Sequence, residues 1–197
     1  MPQKTEPLGL YVHIPFCASK CGYCDFYSIT NRAGRHAYTD TLVQEILSYQ
    51  GRGYTADTLF LGGGTPSLME AEELVRILSA CREAFSLDME GEITLEANPD
   101  SVSLGYLREL RQAGFNRVSF GAQSIVDREL KALGRRHDAA RIRQAMEWAK
   151  EAGFARRSLD VMVGIPYQTS ASLSRTLEEF AGMGPDHISA YLLKIEE

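Results

Sequence analysis

Apolar residues along this chain switch repeatedly between a spacing of about two residues and one of about 3.6, the periods of strands and helices. Leu8-Gly-Leu-Tyr-Val-His-Ile14 is a short strand-like run, after which Tyr38, Leu42 and Ile46 recur at helical spacing across residues ~36–50. Thr58-Leu-Phe-Leu61 is strand-like and stops at Gly62-Gly63-Gly64, and Leu74, Ile77, Leu78, Cys81 and Phe85 then share one helical face. Glu92-Ile-Thr-Leu-Glu-Ala97 predicts a third strand, followed by a helix that Leu104, Leu107 and Leu110 open and Gly114 stops. Arg117-Val-Ser-Phe120 predicts a fourth strand. The next helix, over residues ~139–152, turns Ile142, Ala145, Met146 and Ala149 inward and ends at Gly153. Leu159-Asp-Val-Met-Val163, a helix carrying Leu173, Leu177 and Phe180, and a last strand from His187 complete the pattern.

Five strand–helix units and a final strand predict an α/β fold with parallel strands and right-handed crossovers. Such a sheet is either open and doubly wound or curled into a partial barrel, and it carries its sites just beyond the strand ends. The last strand lies close to Glu197, with no helix after it. An uncovered parallel edge is a liability, so the expectation is that residues 1–197 are one core domain, the N-terminal portion of a longer protein.

Composition narrows the functional classes. A chain of 197 residues, 44% hydrophobic and 24% charged, can bury one proper core. A net charge of −5 argues against a broad nucleic-acid-binding face, and Arg135-Arg136-His137 is too short to form one. No apolar run approaches the roughly 20 residues that span a bilayer, and the N-terminal Met1-Pro-Gln-Lys-Thr-Glu-Pro7 lacks an apolar signal core. Four cysteines, three of them clustered, do not make a secreted disulfide framework. The expected setting is therefore a reducing compartment, the cytoplasm.

The clustered cysteines are Cys17, Cys21 and Cys24, spaced C-x3-C-x2-C. A structural zinc site takes four ligands, usually as two separated pairs, whereas three thiolates suit a [4Fe–4S] cube with one iron open to a ligand. A zinc site completed by His13, and free thiols, remain open on the cysteines alone. Cys81 falls on an apolar helix face and reads as a small core residue. Gly62-Gly63-Gly64-Thr65-Pro66-Ser67 follows the second strand; it lacks Rossmann spacing and the P-loop lysine, and triple glycines are most often turns. Glu96 and Asn98 end the third strand, and Gly121-Ala-Gln123-Ser follows the fourth. Asp160 stands inside an otherwise apolar strand, where a carboxylate is costly unless paired. It reads as half of an ion pair or as a contact to a cationic or hydroxyl-bearing ligand. Together these residues place a polar ligand over one mouth of the sheet.

Tyr11-Val-His-Ile-Pro-Phe-Cys17, Cys21-Gly-Tyr-Cys24-Asp-Phe26, Gly-Gly-Gly-Thr-Pro-Ser, Glu-Ala-Asn-Pro, Gly114-Phe-Asn-Arg-Val-Ser-Phe-Gly-Ala-Gln-Ser, Leu133-Gly-Arg-Arg-His and Asp160-Val-Met-Val-Gly-Ile-Pro form an ordered series. It resembles the radical S-adenosylmethionine (SAM) enzymes of the oxygen-independent coproporphyrinogen oxidase group over nearly the whole chain. The resemblance implies a partial (β/α)6 barrel, here ending after its sixth strand. It implies a [4Fe–4S] cluster on Cys17, Cys21 and Cys24, with SAM on the fourth iron. Gly63, Gly64 and Thr65 would run beside the SAM amino acid moiety, and Glu96 would accept hydrogen bonds from SAM. Tyr11, Tyr23, Gln123, Arg135 and Asp160 match positions lining SAM or a second SAM-like site. No catalytic residue is assigned.

Within this group the oxidases carry a fourth cysteine two positions after the third; here that position is Phe26. Cys-Asp-Phe is the pattern of the HemW-type haem chaperones, and the short stretch before Tyr11 also resembles them. The resemblance thus implies a protein that keeps the cluster and SAM site while binding haem for delivery to client proteins, with an electron donor for the cluster. The alternative is an oxidase that decarboxylates porphyrinogen propionates through a 5′-deoxyadenosyl radical. A third reading is a zinc-stabilised binding module.

Overall fold

The structure is a computed structural model that describes residues 6–194. Most of the segment read above for a signal core, and the chain end behind the last strand, lie outside the described residues. Six strands form one sheet: β1 (Leu8–Ile14), β2 (Ala56–Gly63), β3 (Glu92–Ala97), β4 (Arg117–Gln123), β5 (Arg156–Val163) and β6 (His187–Leu192). Their spatial order is their sequence order, and every neighbouring pair is parallel. Among the described residues β1 does not pair with β6, so the sheet stays an open partial barrel.

Six helices connect the strands: α1 (Arg35–Leu47), α2 (Ala71–Phe85), α3 (Leu104–Ala113), α4 (Asp127–Ala132), α5 (Ala139–Glu151) and α6 (Ser170–Gly182). Their starts are capped where the sequence offers oxygen acceptors. Ser103, Asp138 and Thr169 accept from the backbone at the N-termini of α3, α5 and α6, and Glu70 and Glu73 form a reciprocal capping box on α2. At the other ends Gly114 (φ 117°) and Gly153 (φ 90°) adopt the left-handed conformation that stops a helix.

Period-two alternation divides the sheet into two faces. Leu59 and Leu61, Ile93 and Leu95, Val118 and Phe120, and Leu159 and Val161 are fully or almost fully buried in one continuous core with Ile77, Leu107, Ile142 and Phe180 of the helices. The intervening positions carry Phe60, Thr94, Glu96, Arg117, Ser119 and Asp160. Cys81 is 1% exposed within the core, as its helix face predicts, and burial pushes its thiol up to about 12.

Three local features depart from the sequence reading. β2 continues through Gly62 to Gly63, because Ile14 of β1 pairs opposite Gly63. The six-residue helix α4 is too short to print a helical period. Between β4 and β5 the register shifts: Phe120 pairs with Leu159 but Gln123 with Val161, so β4 carries one extra residue. Such a bulge re-aims side chains at a strand end. It holds Gln123 at φ 68°, an uncommon value for a non-glycine residue.

Candidate cluster and cofactor site

The cysteines ride on the loop leaving β1, and the loop is stapled at its base. Ile29 N–H donates to the Pro15 carbonyl at 2.8 Å, and Cys17 N–H donates to the Ile29 carbonyl at 2.9 Å. The glycine segment after β2 is tied to the same base: Gly64 N–H donates to Ile14 O and Thr65 N–H to Phe16 O, both at 2.8 Å. This close approach explains the glycines. A Cβ on Gly64 would stand 2.8 Å from the Phe16 carbonyl oxygen, and one on Gly63 (φ 111°) would strike the His13 ring at 2.6 Å.

Cys17, Cys21 and Cys24 line one small cavity of about 80 Å³, with Thr65, Asn98, Arg135 and His137 in its wall. The Thr65 hydroxyl points to Cys17 Sγ at 3.7 Å, and Arg135 Nη1 to Cys21 Sγ at 3.8 Å. Burial pushes the Cys24 thiol above its ordinary range. His13 is occupied elsewhere, with Nδ1 at 3.0 Å from Tyr11 Oη and Nε2 at 2.9 Å from the Tyr27 carbonyl. Among the described residues no three Cys, His, Asp or Glu side chains gather as a single-ion site would require. A cube of irons is a larger body than one ion with sulfurs at about 2.3 Å, so thiols spread around a shared cavity fit it.

A second cavity, of about 420 Å³, adjoins the first and shares Tyr23, Cys24, Gly64, Thr65, Asn98 and Arg135 with it. Its size is that of a small-molecule site, roughly 300–1,000 Å³. Glu96 enters from β3, Ser119 and Gln123 from β4, Asp160 and Met162 from β5, and Tyr191 from β6. Gly63 N–H donates to Glu96 Oε2 at 3.1 Å. Burial, opposed by that hydrogen bond, raises the Glu96 carboxyl to about 7. Burial likewise raises Asp160, opposed by hydrogen bonds that include the Ser119 hydroxyl at 3.4 Å. Arg117 faces both carboxylates electrostatically. Two half-buried acids that lack full charge compensation suit a cationic, hydroxyl-bearing ligand.

Arg135 joins the two cavities. Its Nη2 donates to Asn98 Oδ1 at 2.5 Å and to the Gly121 carbonyl at 2.6 Å, while Nη1 reaches the Tyr23 hydroxyl at 3.3 Å. Arg135 Nε and Gln123 Oε1 are buried without a partner. Orphaned buried donors and acceptors on a cavity wall fit an incoming polar ligand. A [4Fe–4S] cluster on the thiols and SAM beside it therefore fit the residues present.

Gly63, Gly64, Thr65, Glu96, Gln123, Arg135, Asp160, Tyr23 and Cys24 thus meet around one cavity, although five strands deliver or flank them. Tyr11 stays outside it. Its ring stacks with Phe60 at a centroid distance of 6.1 Å, 58% exposed; its hydroxyl lies 3.0 Å from His13 Nδ1, and it feels the field of Glu96. Asn98, noted in the sequence without a role, connects Thr65 to Arg135, donating to Thr65 Oγ1 at 3.2 Å. Ser119, Met162 and Tyr191 escaped the sequence reading. Their signal is the strand alternation that puts them on the same side as Glu96 and Asp160.

Residues 11–180 match the family described as the Radical SAM superfamily. The chain is 35% identical to the "Heme chaperone HemW" of Mycobacterium tuberculosis over 99% of its own length and 52% of the relative's. It is also 35% identical to the protein of that name from Escherichia coli, over 98% and 52%. Against the "Oxygen-independent coproporphyrinogen III oxidase" of Escherichia coli it is 35% identical over 94% and 42%. Among solved structures it superposes on "Coproporphyrinogen III oxidase (HemN) from Escherichia coli" with a TM-score of 0.87 at 34% identity, covering 95% of this chain and 44% of that one. The chain spans about half the length of the curated relatives it matches.

Proposed function

The chain belongs to the radical SAM superfamily, and from that premise we propose that it is the cluster- and SAM-holding part of a haem chaperone, resident in the cytoplasm. The observation that carries this reading is the end of the cysteine loop. The motif closes with Cys24-Asp25-Phe26, and Phe26 stands 65% exposed on the rim of the larger cavity. An oxidase-like fourth thiol would occupy that position. Similarity to proteins named as haem chaperones, over almost the full chain, supports the same reading.

The family implies a [4Fe–4S] cluster and SAM, which when bound supply one-electron chemistry at the sulfonium. This chain's residues would bind and orient them. Cys17, Cys21 and Cys24 hold the cluster, with the Arg135 guanidinium and the Thr65 hydroxyl directed at two of the sulfurs. The Gly63–Thr65 backbone lines the larger cavity and would run beside the cofactor. Arg135 Nε suits a carboxylate, Glu96 and Asp160 suit the cationic sulfonium and ribose hydroxyls, and Gln123 Oε1 suits an N–H or O–H donor. Haem, haem-accepting clients and an electron donor complete the proposal for the whole protein.

An oxidase reading keeps one observation of its own: the fold superposes on a solved coproporphyrinogen III oxidase. The test uses the anaerobically reconstituted full-length protein with SAM, a reductant and coproporphyrinogen III. The expected result is no protoporphyrinogen IX from a preparation whose cluster spectrum responds to SAM, together with stoichiometric haem binding. Product formation would overturn the chaperone reading in favour of the oxidase.

A further inference from the structure

The bulge that aims Gln123 at the larger cavity is held from behind by a short segment, residues 127–137, comprising α4 and the turn that follows it, and by Thr176 of α6. That segment engages the bulge residue by residue. Arg135 Nη2 donates to the Gly121 carbonyl at 2.6 Å, and His137 Nε2 lies 3.3 Å from the Ala122 carbonyl. The Ser124 hydroxyl donates to Glu129 Oε2 at 2.6 Å, and its oxygen accepts from Val126 N–H at 3.0 Å. Burial lowers His137 to about 4, so the ring is neutral and its Nε2 hydrogen is free to serve that carbonyl.

Glu129 is the unexpected member. It is 1% exposed, and among the described residues it forms no ion pair. Its second oxygen accepts from the Ser172 hydroxyl, also at 2.6 Å, in the first turn of α6, while Thr176 of the same helix accepts from Ile125 N–H at 3.4 Å. A buried carboxylate held only by hydroxyls costs more than an apolar residue of similar size. No part of the cofactor chemistry above uses it. What it does reach is Ser124, the residue after Gln123, whose left-handed backbone needs outside support.

We propose that Ser124 is a positioning residue: its hydroxyl, fixed by the buried Glu129, locks the β4 bulge and thereby holds the Gln123 amide toward the ligand in the larger cavity. The inference rests on the SAM-binding reading and names a residue group outside the cavity wall on which that binding depends. His137 is the second arm of the same clamp. The consequence is an energetic coupling between Ser124 and Gln123 in ligand binding, beyond any effect on stability.

The experiment is a double-mutant cycle on the reconstituted full-length protein, with S-adenosylhomocysteine as the probe because it lacks the sulfonium. Ser124→Ala and Gln123→Ala are each expected to weaken binding by up to about tenfold, the value of one hydrogen bond. The double variant is expected to bind no worse than Gln123→Ala alone. Full additivity, or unchanged binding in Ser124→Ala, overturns the proposal. Hydrogen exchange at the amides of residues 121–126 in ligand-free protein gives a second readout. Ser124→Ala should accelerate it, and unchanged exchange overturns the clamp. If the wild type fails to bind the probe, the SAM reading fails while the exchange measurement still decides the clamp.

Discussion

On the helix-covered face of the sheet, Leu95, Val118, Phe120 and Leu159 stand side by side, fully buried in one core. One position along the same strands, Glu96, Ser119 and Asp160 line a cavity. Both faces are built from the same backbone and register, and each residue's parity alone decides which rule it obeys. The apolar face is optimised for burial, at roughly 25 cal/mol per Å² of apolar surface. The other carries carboxyls that burial pushes toward their neutral forms, and beside it stand an amide oxygen of Gln123 and a guanidinium nitrogen of Arg135 without partners. Each of those costs stability in the ligand-free protein. The lesson is that one face makes the fold and the other spends part of that stability on a ligand.

Substitutions on the two faces should therefore have opposite signatures. The largest energetic effect belongs to the apolar face. Phe120→Ala is expected to lower unfolding free energy by about 3–5 kcal/mol, measured by chemical denaturation; a loss under about 1 kcal/mol would mean that the faces are not so divided. Next comes Glu96→Gln on the cavity face, with the opposite sign. The folded Glu96 carboxyl titrates near 7, above its ordinary 4.5, so the native state retains a proton that the unfolded chain releases between those values. Its contribution is fully present below pH 4.5, falls as pH rises to 7 and is flat above. Glu96→Gln should remove that slope and stabilise the ligand-free protein above pH 7 by about 3 kcal/mol, while weakening SAM binding. Equal slopes of stability against pH in both proteins would contradict this account. The smallest effect is expected from Cys81→Ser, which buries a hydroxyl in the core at a cost of about 1–2 kcal/mol. Iron content should not change, which separates the core thiol from the three in the loop.

The parity of the strands explains what the sequence disclosed and what it hid. β1, β3 and β6 and the long helices follow from apolar spacing, and the caps at Ser103, Asp138 and Thr169 are ordinary start signals. Asp160 betrayed the cavity face because a carboxylate interrupts an apolar run. Ser119, Met162 and Tyr191 share that face, but small, apolar or aromatic residues there break no local rule. The bulge at Gln123 is a pairing event between β4 and β5, and no single-strand pattern contains it. Helix α4 spans fewer than two turns, so its two roles, presenting Arg135 and burying Glu129, were invisible until the chain was folded. The glycines were legible as a close approach, yet the partner is partly protein: the His13 ring and the Phe16 carbonyl press on Gly63 and Gly64 as closely as a ligand would.

The central claim is that the cysteine loop holds a four-iron cluster beside the polar face. Iron and sulfide analysis of anaerobically reconstituted wild type and Cys21→Ser tests it most directly, with thermal unfolding recorded alongside. The account predicts one four-iron cluster per wild-type chain, loss of the iron in Cys21→Ser, and an unfolding transition of the ligand-free protein little changed, because Cys21 itself lies outside the core. Iron retained by Cys21→Ser, or a single zinc in place of the cluster in wild type, would contradict it.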